Sequence, residues 1–195
     1  MHIVSRSKKI VGAPHQMIVS EKKVSMRLFI ALDFDADTTE SLCKLQVLLR
    51  ENGVEGNYTK AENLHMTLAF IGEYGNPDEV LDVLESVPFR SVPISFSDVY
   101  IYREMCLVSI ARNPGLESYV RRLRRALAES GIPFDKKNFK AHITLVRRAV
   151  LKNGLPENLL KESGLDTTDA DTVKLFQSTQ GKHGMIYTAL GSISG

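Results

Sequence analysis

The stretch NLHMTLAFIGE, residues 63–73, places a histidine and a threonine two positions apart in a run that is otherwise mostly apolar. The same order of histidine, apolar residue, threonine and leucine returns in KAHITLVRRAV, residues 140–150. Side chains of a β-strand alternate between its two faces, so the histidine and threonine of each pair are expected to share a face. In the first stretch, alternation predicts one face of Leu64, Met66, Leu68 and Phe70 and another of His65, Thr67, Ala69 and Ile71.

Two strand–helix–strand units place these stretches at equivalent positions. The first unit runs from the strand-length MRLFIALDF through a helix over 35–53 to the first histidine strand. We predict that this helix begins at a capping box headed by Asp37 and ends at Gly53. The second unit runs from MCLVSIA (105–111) through a helix over 113–131 to KAHITLVRRAV. This repeat predicts two structurally related halves.

The remaining elements are predicted from shorter signals. NPDEVLDVLESV reads as a helix with Asn76 as its cap and Pro77 in its first turn. VPISFSDVYIY predicts one more strand, and residues 151–170 a polar loop. DTVKLFQS and MIYTALGSI predict a C-terminal β-hairpin with a glycine-containing turn.

Size and composition favour one globular domain. The chain has 195 residues, of which 43% are hydrophobic and 25% charged, and a net charge of +2, too small to indicate nucleic-acid binding by itself. We predict an N-terminal extension over 1–25 and a single domain over 26–195. No run reaches the roughly 18 apolar residues of a membrane helix, so we expect no membrane partner. We also expect the protein to be a cytoplasmic monomer. Cys43 and Cys106 match no metal spacing and are predicted to be buried free thiols.

The duplicated pair suits acid–base chemistry at phosphorus. A single histidine on an apolar strand is commonly a satisfied core residue, but two in matching contexts point to a site. If the halves face each other, one neutral imidazole of His65 and His142 can accept a proton while the other, protonated, donates one. The hydroxyls of Thr67 and Thr144 can hold phosphate oxygens. We therefore predict these four residues as the site.

Zinc binding is the competing use of the histidines. Glu62 and Glu73, the carboxylates nearest His65, have no counterparts around His142, and the sequence has no closely spaced pair of histidines or cysteines. We accordingly predict no metal and no cofactor.

The two motif strands, NLHMTLAFIGE and FKAHITLVRR, resemble the signatures of the two-histidine phosphoesterase superfamily. Within it, the chain is most similar to the bacterial and archaeal RNA 2′,3′-cyclic phosphodiesterases, also called 2′-5′ RNA ligases (LigT-like proteins). The resemblance covers about residues 26–191, from MRLFIALDF to LFQSTQGKHGMIYTAL. The second signature departs from the usual form, because Ala141 stands where a proline commonly precedes the histidine.

The resemblance implies an α+β fold of two pseudo-twofold-related lobes, each a mostly antiparallel sheet backed by helices, with a central cleft. It implies hydrolysis of a 2′,3′-cyclic phosphate, on RNA 3′ ends or small nucleotides, to a 2′-phosphate, with 2′-5′ ligation as a possible side activity. His65 and His142 would be the acid–base pair, in an order that the sequence leaves open, and Thr67 and Thr144 the phosphate holders. The alternative function is a nucleotide- or RNA-end-binding module without catalysis.

Other candidate residues have two interpretations each. By the resemblance, Arg147 would meet phosphate, although a solvated charge at a strand end is the alternative; Arg148 is predicted on the opposite face. Four arginines of the 113–131 helix could track an RNA backbone, but a solvated face is favoured: Arg121, Arg122, Arg124 and Arg125. Three aromatic residues could stack on a base or simply pack: Phe34, Tyr58 and Tyr187. No role is predicted for His2, His15 or His183.

Overall fold

The computed structural model describes residues 24–152, 154–182 and 184–195. The predicted extension over 1–25 therefore lies almost wholly outside the described residues, as do His2, His15 and His183. In chain order the elements are β1 (Met26–Leu32), α1 (Ala36–Glu51), β2 (Glu55–Tyr58), a 3₁₀ turn (Ala61–Asn63), β3 (Met66–Tyr74), α2 (Pro77–Ser86), β4 (Val92–Ile94), β5 (Phe96–Tyr102), β6 (Met105–Ile110), α3 (Pro114–Glu129), β7 (His142–Val150), α4 (Leu159–Ser163), β8 (Thr168–Ala170), β9 (Thr172–Gly181) and β10 (Gly184–Ser194).

Two four-stranded sheets dominate the described chain. The first has the order β10-β9-β1-β3 and the second β2-β7-β6-β5, and β4 pairs with β8 in a small separate ladder. Every pairing is antiparallel. The units β1-α1-β3 and β6-α3-β7 are the predicted repeat, each ending in a histidine strand. The predicted α+β fold of two related, mostly antiparallel lobes is confirmed.

The two helices of the repeat begin in the same way. The Asp35 carboxylate accepts a hydrogen bond from the Thr38 amide at 2.7 Å, and the Asn113 side chain accepts one from the Leu116 amide at 2.9 Å. Each bond satisfies an amide that has no partner within its helix. The predicted cap at Asp37 is therefore wrong, because Asp37 lies inside the first turn.

Asn76 is the N-cap residue of α2, as predicted, although its side chain makes no capping hydrogen bond. Two further sequence predictions need correction. The single strand predicted for VPISFSDVYIY is two strands, β4 and β5, and the loop predicted over 151–170 contains α4 and β8. Strand β2 was missed, because only its pairing with β7, and no alternation of its own, makes residues 55–58 a strand.

The core lies between the sheets and the helices. Successive side chains of β1 alternate between two apolar clusters, one on each face of the first sheet. Leu28, Ile30 and Leu32 are fully buried in the main apolar cluster, whereas Phe29 and Ala31 belong to a second, smaller cluster on the other face. Cys43 is partly buried, Cys106 is buried, and both are free thiols, as predicted apart from the partial exposure of Cys43. Within the described ranges, the structure has no helix of sufficient length and apolar character to cross a membrane.

Candidate active site

A β-bulge interrupts each of the two histidine strands at the leucine after the threonine. In the first sheet Thr67 pairs with Ala31 and Ala69 with Ile30, which leaves Leu68 without a partner. In the second sheet the register of β6 and β7 skips Leu145 in the same way. A bulge shifts the alternation of the residues that follow it by one, and in β3 a second irregularity, which skips Ile71, shifts it again. Both motifs therefore change face at the same point.

The bulges correct the predicted faces. Ala69 and Ile71 lie in the main core, whereas Phe70, opposite Phe29, packs on the second cluster, on the face that carries Thr67. The prediction that Phe70 shares a strand face with Leu68 is therefore wrong.

The second bulge brings Arg147 to the face of Thr144. Arg147 pairs with Met105 and Thr144 with Leu107, two positions apart on β6. Phe70 and Arg147 thus occupy the same position in the two motifs, counted from the histidines. Arg148 lines the same cavity as Arg147, contrary to the predicted opposite face, and has a positive φ of 52°.

Each bulge is held by a polar side chain from the helix of the other half. On α1, the buried Gln46 amide donates to the carbonyl of Leu145 at 2.9 Å and to that of Thr59 at 2.8 Å. On α3, Arg124 donates through Nε and Nη2 to the carbonyl of Leu68, at 3.1 and 3.0 Å. Gln46 and Arg124 also occupy the same position in their helices, counted from the capping residues. The pseudo-twofold therefore extends to a pair of clamps between the halves.

The clamp on the first strand corrects the favoured interpretation of Arg124. Arg124 also donates to the carbonyl of Lys137 at 2.7 Å, and burial lowers the pKa of its guanidinium. This arginine satisfies backbone groups beside the open edge of β3, so the prediction that it belongs to a solvated helix face is wrong. The other three arginines of this helix, Arg121, Arg122 and Arg125, are exposed. Arg122 donates to the carbonyl of Pro88 at 3.2 Å.

A backbone carbonyl fixes the tautomer of each histidine. Nδ1 of His65 lies 2.7 Å from the carbonyl oxygen of Asn63, and Nδ1 of His142 lies 2.7 Å from that of Lys140. A carbonyl oxygen can only accept, so Nδ1 carries the hydrogen in both rings. The nitrogen that gains or loses a proton is consequently Nε2 in each. In the first motif, Nε2 lies 3.0 Å from the hydroxyl of Thr67.

Aromatic rings enclose His65. Its ring centroid is 4.9 Å from that of Phe29 and 5.3 Å from that of Tyr187, which meets it edge-on, with Phe176 further away. Burial lowers the pKa of His65 from its ordinary value of 6.5, and the carbonyl of Asn63 opposes this effect. The positive charges of Arg147 and His142 lower the pKa further. The two histidines and Arg147, which come from different halves, therefore lie close enough to interact electrostatically.

We expect His65 to titrate below 6.5 in the free protein. Between its folded and unfolded pKa values the unfolded chain binds more protons, so this group makes the fold less stable as the pH falls through that window. Imidazole chemical shifts followed by NMR against pH would report the folded value, with His65→Asn used to assign the signals. Titration of His65 above 6.5 would contradict the expectation.

Two cavities, with no lining residue in common, lie beside the motif strands. One, of about 440 Å³, is lined by Thr67 and His142 and by apolar and aromatic side chains that include Phe70, Tyr100 and Phe139. Four charged side chains complete its lining: Arg124, Asp135, Lys137 and Lys140. Because Thr67 belongs to the first motif and His142 to the second, this cavity joins the two halves. Its remaining aromatic residue, Tyr102, is half exposed. We call it the aromatic cavity.

The other cavity, of about 740 Å³, begins at the opposite ends of the motif strands. Its lining includes Asn63, whose carbonyl holds His65, and Tyr187, whose ring packs against His65. It also contains four cationic side chains: Arg50, Lys60, Arg147 and Arg148. Among the described residues, no carboxylate lines it. We call it the cationic cavity.

Of the residues predicted from the sequence, Thr67 and His142 line the aromatic cavity and Arg147 lines the cationic cavity. His65 lies within electrostatic range of His142 and Arg147, and Thr144 lies on the same face of β7 as Arg147.

Two of the three aromatic residues predicted from the sequence, Tyr58 and Tyr187, line the cationic cavity. Tyr58 also donates its hydroxyl to the carbonyl of Val54 at 2.7 Å, whereas Phe34 packs on Phe96. The sequence prediction missed Phe70 and the rest of the aromatic cavity, although Phe70 stands at the same distance after its histidine as Arg147 does.

Comparison with known proteins places this fold of two antiparallel lobes among the phosphoesterases. The model of the family "LigT like Phosphoesterase" matches residues 108–187. The RNA 2′,3′-cyclic phosphodiesterase of Archaeoglobus fulgidus is 32% identical over 131 residues, which cover 63% of this chain and 72% of the relative. That of Methanocaldococcus jannaschii is 26% identical over 176 residues, covering 85% and 98%.

Solved structures show the same fold. Escherichia coli LigT in its apo form matches with a TM-score of 0.73 at 23% identity, covering 87% of this chain and 97% of LigT. The same protein complexed with 3′-AMP matches with a TM-score of 0.68. The chain belongs to the LigT-like phosphoesterase family, and the resemblance inferred from its two motifs is confirmed.

Proposed function

We propose that this protein is an RNA 2′,3′-cyclic phosphodiesterase in which His65 and His142 act as a proton-transfer pair. The observation that carries the proposal is the pair of imidazoles, each with Nδ1 held by a backbone carbonyl, brought near each other from two halves of the chain. The curated relatives that match over most of their length bear this activity in their names. A phosphate placed between the two Nε2 atoms would meet a proton acceptor on one side and a donor on the other.

The reaction adds one water to the cyclic phosphate. The neutral histidine takes a proton from water as the water oxygen bonds to phosphorus, opposite the O3′ atom. The bond from phosphorus to O3′ breaks, and the protonated histidine gives its proton to O3′, which leaves a 2′-phosphate and a free 3′-hydroxyl. The same displacement with a 5′-hydroxyl in place of water, in which O3′ again leaves and takes up the proton, would join RNA ends through a 2′-5′ linkage.

The protonation state of His65 decides whether the Thr67 hydroxyl can donate a hydrogen bond to the phosphate. While Nε2 of His65 has no proton, it can only accept, so the Thr67 hydroxyl donates to it across the 3.0 Å contact. Once Nε2 is protonated, it donates to Thr67, and the hydroxyl hydrogen is released for a phosphate oxygen. Thr144 holds the second side of the phosphate, and the positive charge of Arg147 stabilises the charge that develops on its oxygens.

The direct test is product analysis on an oligoribonucleotide that ends in a 2′,3′-cyclic phosphate. We expect a 2′-phosphate end, identified after complete digestion by chromatography beside authentic nucleoside 2′- and 3′-monophosphates. EDTA is expected to leave the rate unchanged, because the proposed groups need no metal. A 3′-phosphate product would contradict the proposed geometry. Tight binding of the RNA without any product would favour the alternative of a binding module.

A further inference from the structure

The segment that leads into each histidine strand is hydrogen-bonded to the histidine strand of the other half. In the first half this entry segment covers residues 59–64. The amide of Thr59 donates to the carbonyl of Leu145 at 2.9 Å. Towards the other end of the segment, the carbonyl of Asn63 holds Nδ1 of His65. The first entry segment therefore connects the ring of one motif to the bulge of the other.

The second entry segment, residues 135–141, leads into β7 and is attached to β3 in the corresponding way. The amide of Asp135 donates to the carbonyl of Phe70 at 2.8 Å. Further along the segment, the carbonyl of Lys140 holds Nδ1 of His142. Each segment thus carries the carbonyl that fixes one histidine, while it is bonded to the strand that carries the other.

Arg124 bridges the second entry segment and β3. Its Nε and Nη2 atoms donate to the carbonyl of Leu68 at 3.1 and 3.0 Å, and Nη1 donates to that of Lys137 at 2.7 Å. The segment is held again at Ala141, whose carbonyl accepts from the amide of Ile110 at 3.2 Å. The carbonyl that orients the second histidine lies between these two attachments. Because all three guanidinium nitrogens donate to backbone carbonyls, this side chain stabilises the backbone of both halves at once.

Gln46 bridges the first entry segment and β7. Its side-chain nitrogen donates to the carbonyl of Thr59 at 2.8 Å and to that of Leu145 at 2.9 Å. A 3₁₀ turn, in which the amide of Asn63 donates to the carbonyl of Lys60 at 2.9 Å, connects this attachment to the carbonyl that orients the first histidine. Gln46 is buried, so these contacts depend on its amide and not on water.

Resting on the proposed function, we propose that Arg124 is a positioning residue for His142 and that Gln46 is one for His65. Each acts through an entry segment, since the carbonyl in that segment gives the ring its tautomer and its orientation. Loss of the side chain removes one attachment of the segment and lets the ring turn. A reacting group misplaced by about 1 Å can lose on the order of 10² in rate, so a small movement of either segment is enough to lower kcat.

The attachments are crossed between the halves. Arg124 fixes the approach to His142 against the bulge that follows Thr67, and these three residues line the aromatic cavity together. Gln46 fixes the approach to His65 against the bulge of β7. A change at one clamp is therefore expected to disturb one histidine and to leave the ring of the other in place.

NMR of the imidazole nitrogens tests the assignment ring by ring. Long-range ¹H–¹⁵N spectra, at a pH at which the rings are neutral, distinguish Nδ1–H from Nε2–H tautomers, and His65→Asn and His142→Asn identify the signals. Arg124→Lys keeps the charge, but one ammonium replaces three nitrogens that face two carbonyls. We expect the His142 signals of this variant to shift toward the Nε2–H tautomer and those of His65 to stay as in the wild type.

The reciprocal variant is Gln46→Met, in which the His65 signals are expected to shift and those of His142 to stay. The matched control is Arg125→Lys, which changes the neighbouring, exposed arginine of α3 and should shift neither ring. If Arg124→Lys does not fold, Gln46→Met carries the same test on its own.

Steady-state kinetics on the cyclic-phosphate RNA supply a second readout. Arg124→Lys is expected to lower kcat about tenfold with little change in KM, because the placement of a ring is altered and not substrate binding, whereas Arg125→Lys should match the wild type. A folded Arg124→Lys with wild-type ring signals or wild-type kcat would overturn the inference, as would equal displacement of both rings by each clamp variant. The ring signals need no turnover, so crossed shifts in a protein that hydrolyses no cyclic phosphate would remove the proposed function and keep the positioning roles.

Discussion

Replacement of His142 by asparagine is expected to lower the hydrolysis of a terminal 2′,3′-cyclic phosphate by a factor on the order of 10²–10⁴, the usual contribution of one general acid or base. Asparagine keeps an N–H near the position of Nδ1, so it can still donate to the carbonyl of Lys140, but it cannot transfer a proton at the position of Nε2. The loss would therefore fall on kcat. The measurement is steady-state kinetics on the cyclic-phosphate RNA beside the wild-type protein.

His65→Asn is expected to have an effect of similar size on kcat, because the two residues form one proton-transfer unit. It should also lower stability somewhat, since the ring of His65 packs against Phe29 and Tyr187. Circular dichroism and a thermal melt of each variant separate loss of chemistry from loss of fold. Near-normal turnover in both folded variants would show that the histidines do not act as the acid and base.

The second large effect is expected from Arg124→Met, which removes the clamp on the first bulge. The carbonyl of Leu68 would lose both described donors, at a cost of about 1–3 kcal/mol of unfolding free energy. Because the bulge sets which face Thr67 and Phe70 occupy, kcat should fall as well. Chemical denaturation and kinetics well below the melting temperature would measure the two effects separately.

Two variants calibrate that result. Gln46→Met removes the equivalent clamp, but Leu145 keeps the 2.9 Å hydrogen bond from the amide of Thr59, so a smaller loss is expected. Arg121→Met removes an exposed charge from the same helix as Arg124 and should change neither property. If Arg124→Met lowers stability but leaves kcat and its pH profile unchanged, the clamp holds the fold without positioning the site.

The repeat and its histidines could be predicted from sequence because they depend on local patterns. Hydrophobic periodicity located both strand–helix–strand units, and the duplicated His-x-Thr pairs identified the two strands that carry the candidate site. The bulges could not be predicted in that way. Whether Leu68 is skipped depends on how β3 pairs with β1, and residues distant in the sequence decide that. Strict alternation consequently failed at Phe70 and Arg148.

The hydrogen bonds that Gln46 and Arg124 make to the opposite half could not be predicted from the sequence for a similar reason. Gln46 falls on the inward face of α1 among Leu42, Leu45 and Leu49, and it is buried. A polar residue at such a position needs a hydrogen-bond partner, so its place among leucines indicates a buried polar contact. The partner itself, a carbonyl of the other half, becomes visible only once the two lobes are assembled.

A crystal structure of the protein with a nucleoside 2′-monophosphate would test the central claim most directly. The account predicts that Nε2 of His65 and Nε2 of His142 both lie within hydrogen-bond distance of oxygen atoms on one phosphorus or of the O3′ atom beside it. A phosphate that contacts only one of the two rings, or that binds outside the groove, would contradict it.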